Sequence, residues 1–385
     1  MESEGRGRHV FEVAALFLKL GTISFGGPAA HVALMEQEVV TRRGWLARDH
    51  FLDLLAATNL VPGPNAVEMA CQIGYVRAAW AGLVAGGVAF IIPAFLISLA
   101  LAWVYQRFGA LPPIAALFYG INPVVLAILL GATYRLGRTA LRDKRAVALA
   151  VACLAAALLG ANEILVLLAA GAIGMVMYSR LRWPRPTGLV LSWVPLTASL
   201  PLLAALSEDR LVRLFLFWLK TGAVLFGSGM VLFALIKDDV VSRYGWLTAQ
   251  EFLDAIVVGQ MTPGPVLSSA TFIGYLVEGL PGALAATVGV FLPAFVIVAL
   301  IGPRMERLRR SPVAQAFLRG VNAAVVALIM AVAVAIFRTA IVDAWTGAIL
   351  VLSLAALLRF KVDALWLVLV GAAAGLVRFL IVAPA

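Results

Sequence analysis

Uninterrupted apolar runs at 78–104, 114–134, 283–301 and 313–337 constrain this chain more than any other feature. Each reaches the roughly 20 residues that carry an α-helix across about 30 Å of hydrocarbon. In that medium every backbone amide and carbonyl needs an internal partner, so such runs are expected to fold as membrane-spanning helices. Composition agrees: 63% of the 385 residues are hydrophobic and 13% charged, against about 45–50% apolar and about 25% charged in ordinary soluble domains. A water-soluble fold could not hide so much apolar surface.

The formal net charge of +10 does not indicate nucleic acid, because the bases fall in short clusters between apolar runs. That distribution is expected of anchoring by positive loops on the cytoplasmic side. Two isolated cysteines, Cys71 and Cys153, and three histidines leave no metal-ligating or redox pattern, and no cofactor is expected. Residues 1–10 mix acids and bases and no small-residue cleavage site follows, so no removable signal peptide is expected.

The chain also repeats itself. Leu18, Lys19, Gly21, Phe25 and Gly26 recur 201 positions later as Leu219, Lys220, Gly222, Phe226 and Gly227. Gly44, Trp45, Leu46, Phe51, Leu52 and Asp53 map likewise to Gly245, Trp246, Leu247, Phe252, Leu253 and Asp254, and Pro62-Gly63-Pro64 maps to Pro263-Gly264-Pro265. After one deletion the offset becomes 200, matching Ile73-Gly74-Tyr75, Pro93-Ala94-Phe95, Gly120 and Asn122 to Ile273-Gly274-Tyr275, Pro293-Ala294-Phe295, Gly320 and Asn322. Two homologous repeats are expected at 10–180 and 211–382, joined by a linker at 181–210 that holds one extra apolar segment.

Charges in equivalent loops report the orientation of the repeats. Loop 107–113 carries Arg107 alone, whereas its counterpart carries Arg304, Arg307, Arg309 and Arg310. The next pair reverses: Arg135, Arg138, Arg142, Lys144 and Arg145 face a stretch holding Arg338 and Asp343, and 160–163 faces Arg359 and Lys361. The expected architecture is therefore an all-α polytopic membrane protein of two inverted-topology repeats, a recurrent plan among secondary transporters. Residues 10–40 either span once or turn back near Gly26-Gly27-Pro28 as a hairpin of half-helices. Segment 189–206 stays on one side in the first case and crosses in the second. The total is about nine or ten full spans.

Irregular backbone at membrane depth is tolerated only against protein or a water-filled cavity, so broken helices point to a transport site. Each half has two. Phe25-Gly26-Gly27-Pro28 is matched by Phe226-Gly227-Ser228-Gly229, where glycine lets the chain leave helical angles and Pro28 suits the first turn of a restarted helix. Pro62-Gly63-Pro64 and Pro263-Gly264-Pro265, preceded by Asn59 and by Gln260 and Thr262, cannot sit unkinked in a continuous helix. Four half-helix N-termini meeting between the repeats would form a donor-rich, positive cradle for an anion. Lys19 and Lys220 lie inside apolar segments at equivalent positions, where an ammonium either serves the site or snorkels to an interface. His31, Ser24, Ser268 and Ser269 are further donors. Glu68 and His31 are the proton-relay candidates; the alternatives are an ion-pair role for Glu68 and a packing role for His31.

Phe25-Gly26-Gly27-Pro28-Ala29-Ala30-His31, Gly44-Trp45, Phe51, Pro62-Gly63-Pro64-Asn65 and Ile73-Gly74-Tyr75 together resemble the N-terminal domain of the chromate ion transporter family. Gly259-Gln260-Met261-Thr262-Pro263-Gly264-Pro265 resembles the matching motif of its C-terminal domain, and the likeness covers nearly the whole chain in the family's long, two-domain form. Ser228 and Ala234 depart from that pattern, standing where the family favours a glycine and a proline. The resemblance implies a bacterial inner-membrane protein that exports chromate and so confers resistance, with sulfate as a competing oxyanion. The expected partners are that oxyanion and the lipid bilayer, with a homodimer left open. No nucleotide-binding motif is present, so the membrane gradient would supply the energy. A sulfate or other anion carrier or channel is the alternative, and a membrane-embedded enzyme the least favoured reading.

Overall fold

A computed structural model describes residues 2–25, 28–58, 61–109, 111–179, 209–226, 229–301, 311–360 and 362–382. Gly26, Gly27, Asn59, Gly227, Ser228 and the 189–206 segment lie outside the described residues. Among the described residues, each half contributes seven helices in the same order. The first half holds α1 (Glu2–Ile23), α2 (Pro28–Glu36, extended by a π-helical turn Gln37–Arg42), α3 (Arg48–Thr58), α4 (Asn65–Phe108), α5 (Pro112–Ala140), α6 (Lys144–Leu158) and α7 (Glu163–Tyr178). The second holds α8 (Arg210–Val224), α9 (Val231–Lys237, extended through Asp238–Arg243), α10 (Ala249–Met261), α11 (Ser269–Ile301), α12 (Pro312–Ala340), α13 (Ala344–Ala355, extended through Ala356–Phe360) and α14 (Ala364–Val382).

Local chemistry sets these boundaries. Pro112 and Pro312 open α5 and α12 at positions where the missing amide costs nothing. Asp143 and Asp343 cap α6 and α13 by accepting from the Ala146 and Thr346 amides, and Thr248 with Glu251 forms a reciprocal capping box at α10.

The 44-residue α4 would be about 66 Å long if straight, twice the hydrocarbon thickness. It is instead two antiparallel legs, 65–77 and 80–108, with Ala78 and Ala79 out of helical geometry between them. Glu278 and Gly279 break α11 with nearly the same angles. The legs touch backbone to backbone: a Cβ on Gly82 would lie 2.0 Å from the Gly74 carbonyl oxygen, and one on Gly282 2.2 Å from that of Gly274.

The start of each half is likewise a hairpin. His31 Nε2 lies 3.2 Å from the Ser24 carbonyl, and Lys19 Nζ 2.7 Å from Glu38, so α2 runs back along α1. Arg77, at the tip of the α4 hairpin, bonds Glu12 at 2.8 Å and lies over the Trp45 ring, which places the outer ends of α1, α2 and the first α4 leg together. Lys220 and Asp239 repeat the pairing on α8 and the turn after α9.

The repeats interlock. α6 and α7 pack on α12 of the other half, while α13 and α14 pack on α5. Small residues make these crossings close: a Cβ on Gly120 would meet the Gly371 carbonyl at 2.0 Å, and one on Gly320 would meet that of Ala170 at 2.0 Å. At the centre α4 packs on α11 and α5 on α12. Tyr119, near the start of α5, bonds Asp343 just past the end of α12, and Arg319, near the start of α12, lies over Tyr178, which bonds Asp143 just past the end of α5. The equivalent helices α5 and α12 therefore run antiparallel.

Among the described residues, five helices are long and apolar enough to cross a membrane: Asn65–Phe108, Pro112–Ala140, Val266–Leu300, Pro312–Ala340 and Ala364–Ile381. The apolar helices Glu163–Tyr178 and Ala344–Phe360 are shorter. The long legs present apolar stripes outward, Val84, Val88, Ile92 and Leu96 on α4 and Leu284, Val288, Leu292 and Val296 on α11, as lipid contact requires.

Candidate functional site

Both Pro-Gly-Pro turns lie at the seam between halves. Proline supplies no amide, so the glycine carries each turn's one donor, and in both cases that donor crosses to the other repeat. Gly63 N donates to the Leu225 carbonyl at 2.6 Å, and Gly264 N donates to the Ser24 carbonyl at 2.8 Å. Ser24 and Leu225 are themselves equivalent, each following the last turn of its half's first helix, so the two bonds form a reciprocal pair. Gly264 has φ +86° and packs within reach of the Gly21 carbonyl and Ala94, an approach that a side chain would obstruct. Gly21 permits it from the other side, since a Cβ there would lie 2.5 Å from the Phe90 carbonyl oxygen; at the equivalent position in the second half, a Cβ on Gly222 would lie 2.2 Å from that of Val290. Gly229 packs against Val266 and Leu267. These contacts bring the four chain breaks of the two halves into one cluster, from which α2, α4, α9 and the turn leading to α11 begin.

The cluster is buried and, among the described residues, holds polar atoms without partners. Ser24 and Ser268 are buried, and the hydroxyl of each has no hydrogen-bond partner among those residues. His31 is buried edge-on against Phe90; its Nε2 donates to the Ser24 carbonyl, already the acceptor for Gly264, and its Nδ1 is unpartnered. Thr262 donates to the Val258 carbonyl at 2.8 Å and lies 3.3 Å from the Ser98 hydroxyl of the other half. Gln260 reaches the Met230 sulfur at 3.2 Å. Pro28 stands first in α2. Glu68 is fully buried one turn into α4, its carboxyl against Gly63, with neither oxygen hydrogen-bonded.

Lys19 and Lys220 are not in this cluster. Each precedes the break by about one and a half turns, roughly 7 Å along the axis, and is held by an acid 19 residues further on. Glu38 takes Lys19 at 2.7 Å and Arg42 at 2.8 Å; Asp239 takes Lys220 at 2.9 Å and Arg243 at 3.3 Å. The hydrogen bond from Lys19 leads the causes that hold the Glu38 carboxyl below its ordinary range. Lys220 is buried over the Phe217 ring, while the Lys19 side chain is 48% exposed.

Glu38 and Asp239 fall at equivalent positions of the repeat in the sequence, but their pairing with the lysines was not read from it, although the recurrence of an acid 19 residues after each lysine is a signal that could have found it. Ser98, Leu225 and the Tyr105 hydroxyl that bonds Asp254 at 2.6 Å across the halves carried no such signal.

A family profile described as "Chromate transporter" matches the chain twice, at residues 11–175 and 212–376. The chain is 34% identical over 372 residues to the chromate transport protein of Cupriavidus metallidurans, covering 96% of this chain and 93% of that one. It is 32% identical over 331 residues to the chromate transport protein of Pseudomonas aeruginosa, covering 83% and 79%, and 31% identical over 339 residues to the probable chromate transport protein of Synechococcus elongatus, covering 86% of each. No solved structure matches the chain.

Proposed function

Since the chain belongs to the chromate transporter family, we propose that this multi-pass inner-membrane protein exports chromate as a secondary active carrier, with sulfate as its competitor. The observation that carries the reading is the convergence of four helix breaks through the reciprocal Gly63–Leu225 and Gly264–Ser24 bonds. Helix starts aimed at one point give a positive end for an oxyanion, and the unpartnered Ser24 and Ser268 hydroxyls supply donors. The glycine amides of both Pro-Gly-Pro turns are already committed to carbonyls, so the anion is held by these hydroxyls, by His31, Thr262 and Gln260, and by the backbone around Gly26, Gly27, Pro28, Gly227, Ser228 and Gly229. Asn59, Pro62, Pro64, Pro263 and Pro265 shape the cradle. Lys19 and Lys220, fixed by Glu38 and Asp239, contribute positive field from the hairpin stems rather than contact.

The halves lie inverted in the bilayer in this reading. Support comes from the antiparallel packing of α5 on α12 and from the opposite phase of basic loops. The open end of the α1–α2 hairpin and the tip of the α4 hairpin then lie on the base-rich, cytoplasmic face, and their counterparts in the second half on the opposite face. Rocking of one half on the other separates one reciprocal contact at a time and exposes the cradle to alternate sides.

Labelled chromate flux into inverted vesicles, with excess sulfate and with pH gradient and voltage collapsed separately, tests this. Uphill uptake suppressed by sulfate is expected. Flux no greater than in vesicles lacking the protein would sink the chromate reading, and flux that only equilibrates would make the protein a channel.

A further inference from the structure

Glu68 is the one feature at the seam that an anion cradle does not explain. A carboxyl fully removed from water, with both oxygens unpartnered, sits against the Gly63 backbone beside the bond that joins the halves. An ionised carboxylate there is costly, and among the described residues no cation pairs with it. On the elements around its leg the charges are engaged with one another: Glu12 with Arg77, Lys19 with Glu38, Arg48 with Glu36, Lys220 with Asp239, and Glu278 with Arg210. Asp254 of α10 is bonded by Tyr105, Asp49, His50 and Asp53 of α3 are exposed, and His31 of α2 donates to Ser24. The remaining titratable neighbour is the buried Cys71 thiol, one turn along the same leg. The second repeat offers serines, Ser268 and Ser269, where the first has Glu68.

We propose that Glu68 binds a cotransported proton that travels with the anion, so that each export cycle carries one net negative charge, driven by the inside-negative membrane voltage and opposed by the proton gradient. This rests on the transport reading above. With the seam closed, Glu68 holds a proton and the cradle accepts a dianion. An ionised Glu68 and a dianion repel strongly in so buried a place, so the anion does not bind while the carboxyl is bare. When the Gly63–Leu225 contact opens to water, the proton leaves to the side on which the anion is released. It is regained from the side on which the next anion enters. The move is a proton transfer between carboxyl and water with no other bond made or broken.

The test uses the full chain in proteoliposomes and compares wild type with Glu68→Gln, a fixed mimic of the protonated acid. Anion exchange is read as labelled-chromate counterflow without any gradient, and coupling as accumulation driven by acid on the chromate side. Wild type is expected to show both. Glu68→Gln is expected to keep counterflow and lose accumulation above the external level. Retained pH-driven accumulation in Glu68→Gln overturns the proposal, as does accumulation that follows a sodium gradient and ignores pH. Loss of counterflow in a variant that melts like wild type also overturns it, because Glu68 then belongs to anion binding itself. Absence of counterflow in wild type is a separate failure, that of the transport reading, and removes the proposal with it.

Discussion

Lys19 and Lys220 occupy matching turns of α1 and α8 and meet matching acids, yet one is half in solvent and the other is buried. Stranding a buried charge costs about 3–5 kcal/mol; without Lys19 the buried Glu38 still has Arg42 at 2.8 Å and Arg43 at 3.6 Å, whereas without Lys220 Asp239 is left with Arg243 at 3.3 Å. Lys220→Met is therefore expected to lower the melting temperature in detergent and the protein level in membranes, with Lys19→Met near wild type. Lys220→Met combined with Asp239→Leu should recover most of the loss. If Lys220→Met instead keeps its stability but abolishes chromate flux, the lysine contacts the anion directly. Ala79 is a second test: it holds φ +51° where the other repeat has Gly279. Strain of about 1–3 kcal/mol, less the backbone entropy that glycine adds, predicts that Ala79→Gly stabilises by about 1 kcal/mol and Gly279→Ala destabilises, both read as melting shifts. The breaks were legible in the sequence because proline and glycine act on their own backbone. The Lys19–Glu38 pair was legible only as a spacing shared with Lys220 and Asp239, because the contact itself depends on the chain reversing at 24–28, which the residues themselves leave open between kink and hairpin.

Among the elements, the long apolar runs predicted the spanning legs well: the run expected at 78–104 begins at the hairpin tip, and the long leg of α4 begins at 80. What the pattern concealed is that the preceding thirteen residues are helical too, folded back along that leg; hydropathy measures length and polarity but not direction. Helix partners were concealed for the same reason, since glycine in a span marks a close crossing without saying against what. Two glycines on equivalent long helices separate these cases. A Cβ on Gly320 meets the Ala170 carbonyl at 2.0 Å, but one on Gly137 meets only Val326 and Leu141, at 3.7 and 3.9 Å. Gly320→Ala is expected to destabilise by about 1–3 kcal/mol through forced separation of α12 from α7. Gly137→Ala should be neutral or stabilising by up to about 1 kcal/mol through helix propensity. Equal melting temperatures for the two variants would count against the α7–α12 crossing. The ends of the same helices are tied by matched sets with two members exchanged: Asp143, Tyr178 and Arg319 at one, and Asp343, Arg378 and Tyr119 at the other.

For the molecule as a whole, inversion of the halves makes a prediction independent of transport. A topology reporter fused after Arg142 and one fused after Asp343 are expected to read opposite sides of the membrane, with the Arg142 fusion cytoplasmic; the same side for both would defeat the inverted arrangement. The sequence repeat showed that there are two halves, but not that each completes the other, because homology orders elements along the chain and is silent about exchange between copies. That exchange has a consequence in time. Synthesis runs from α1 towards α14, and the face of α5 around Gly120 receives its cover from α14, made long after it. The first half therefore waits, incompletely packed, until α14 has emerged. A stop codon ahead of α14 would show its damage in α5, so that quality control would meet a late truncation as an early defect.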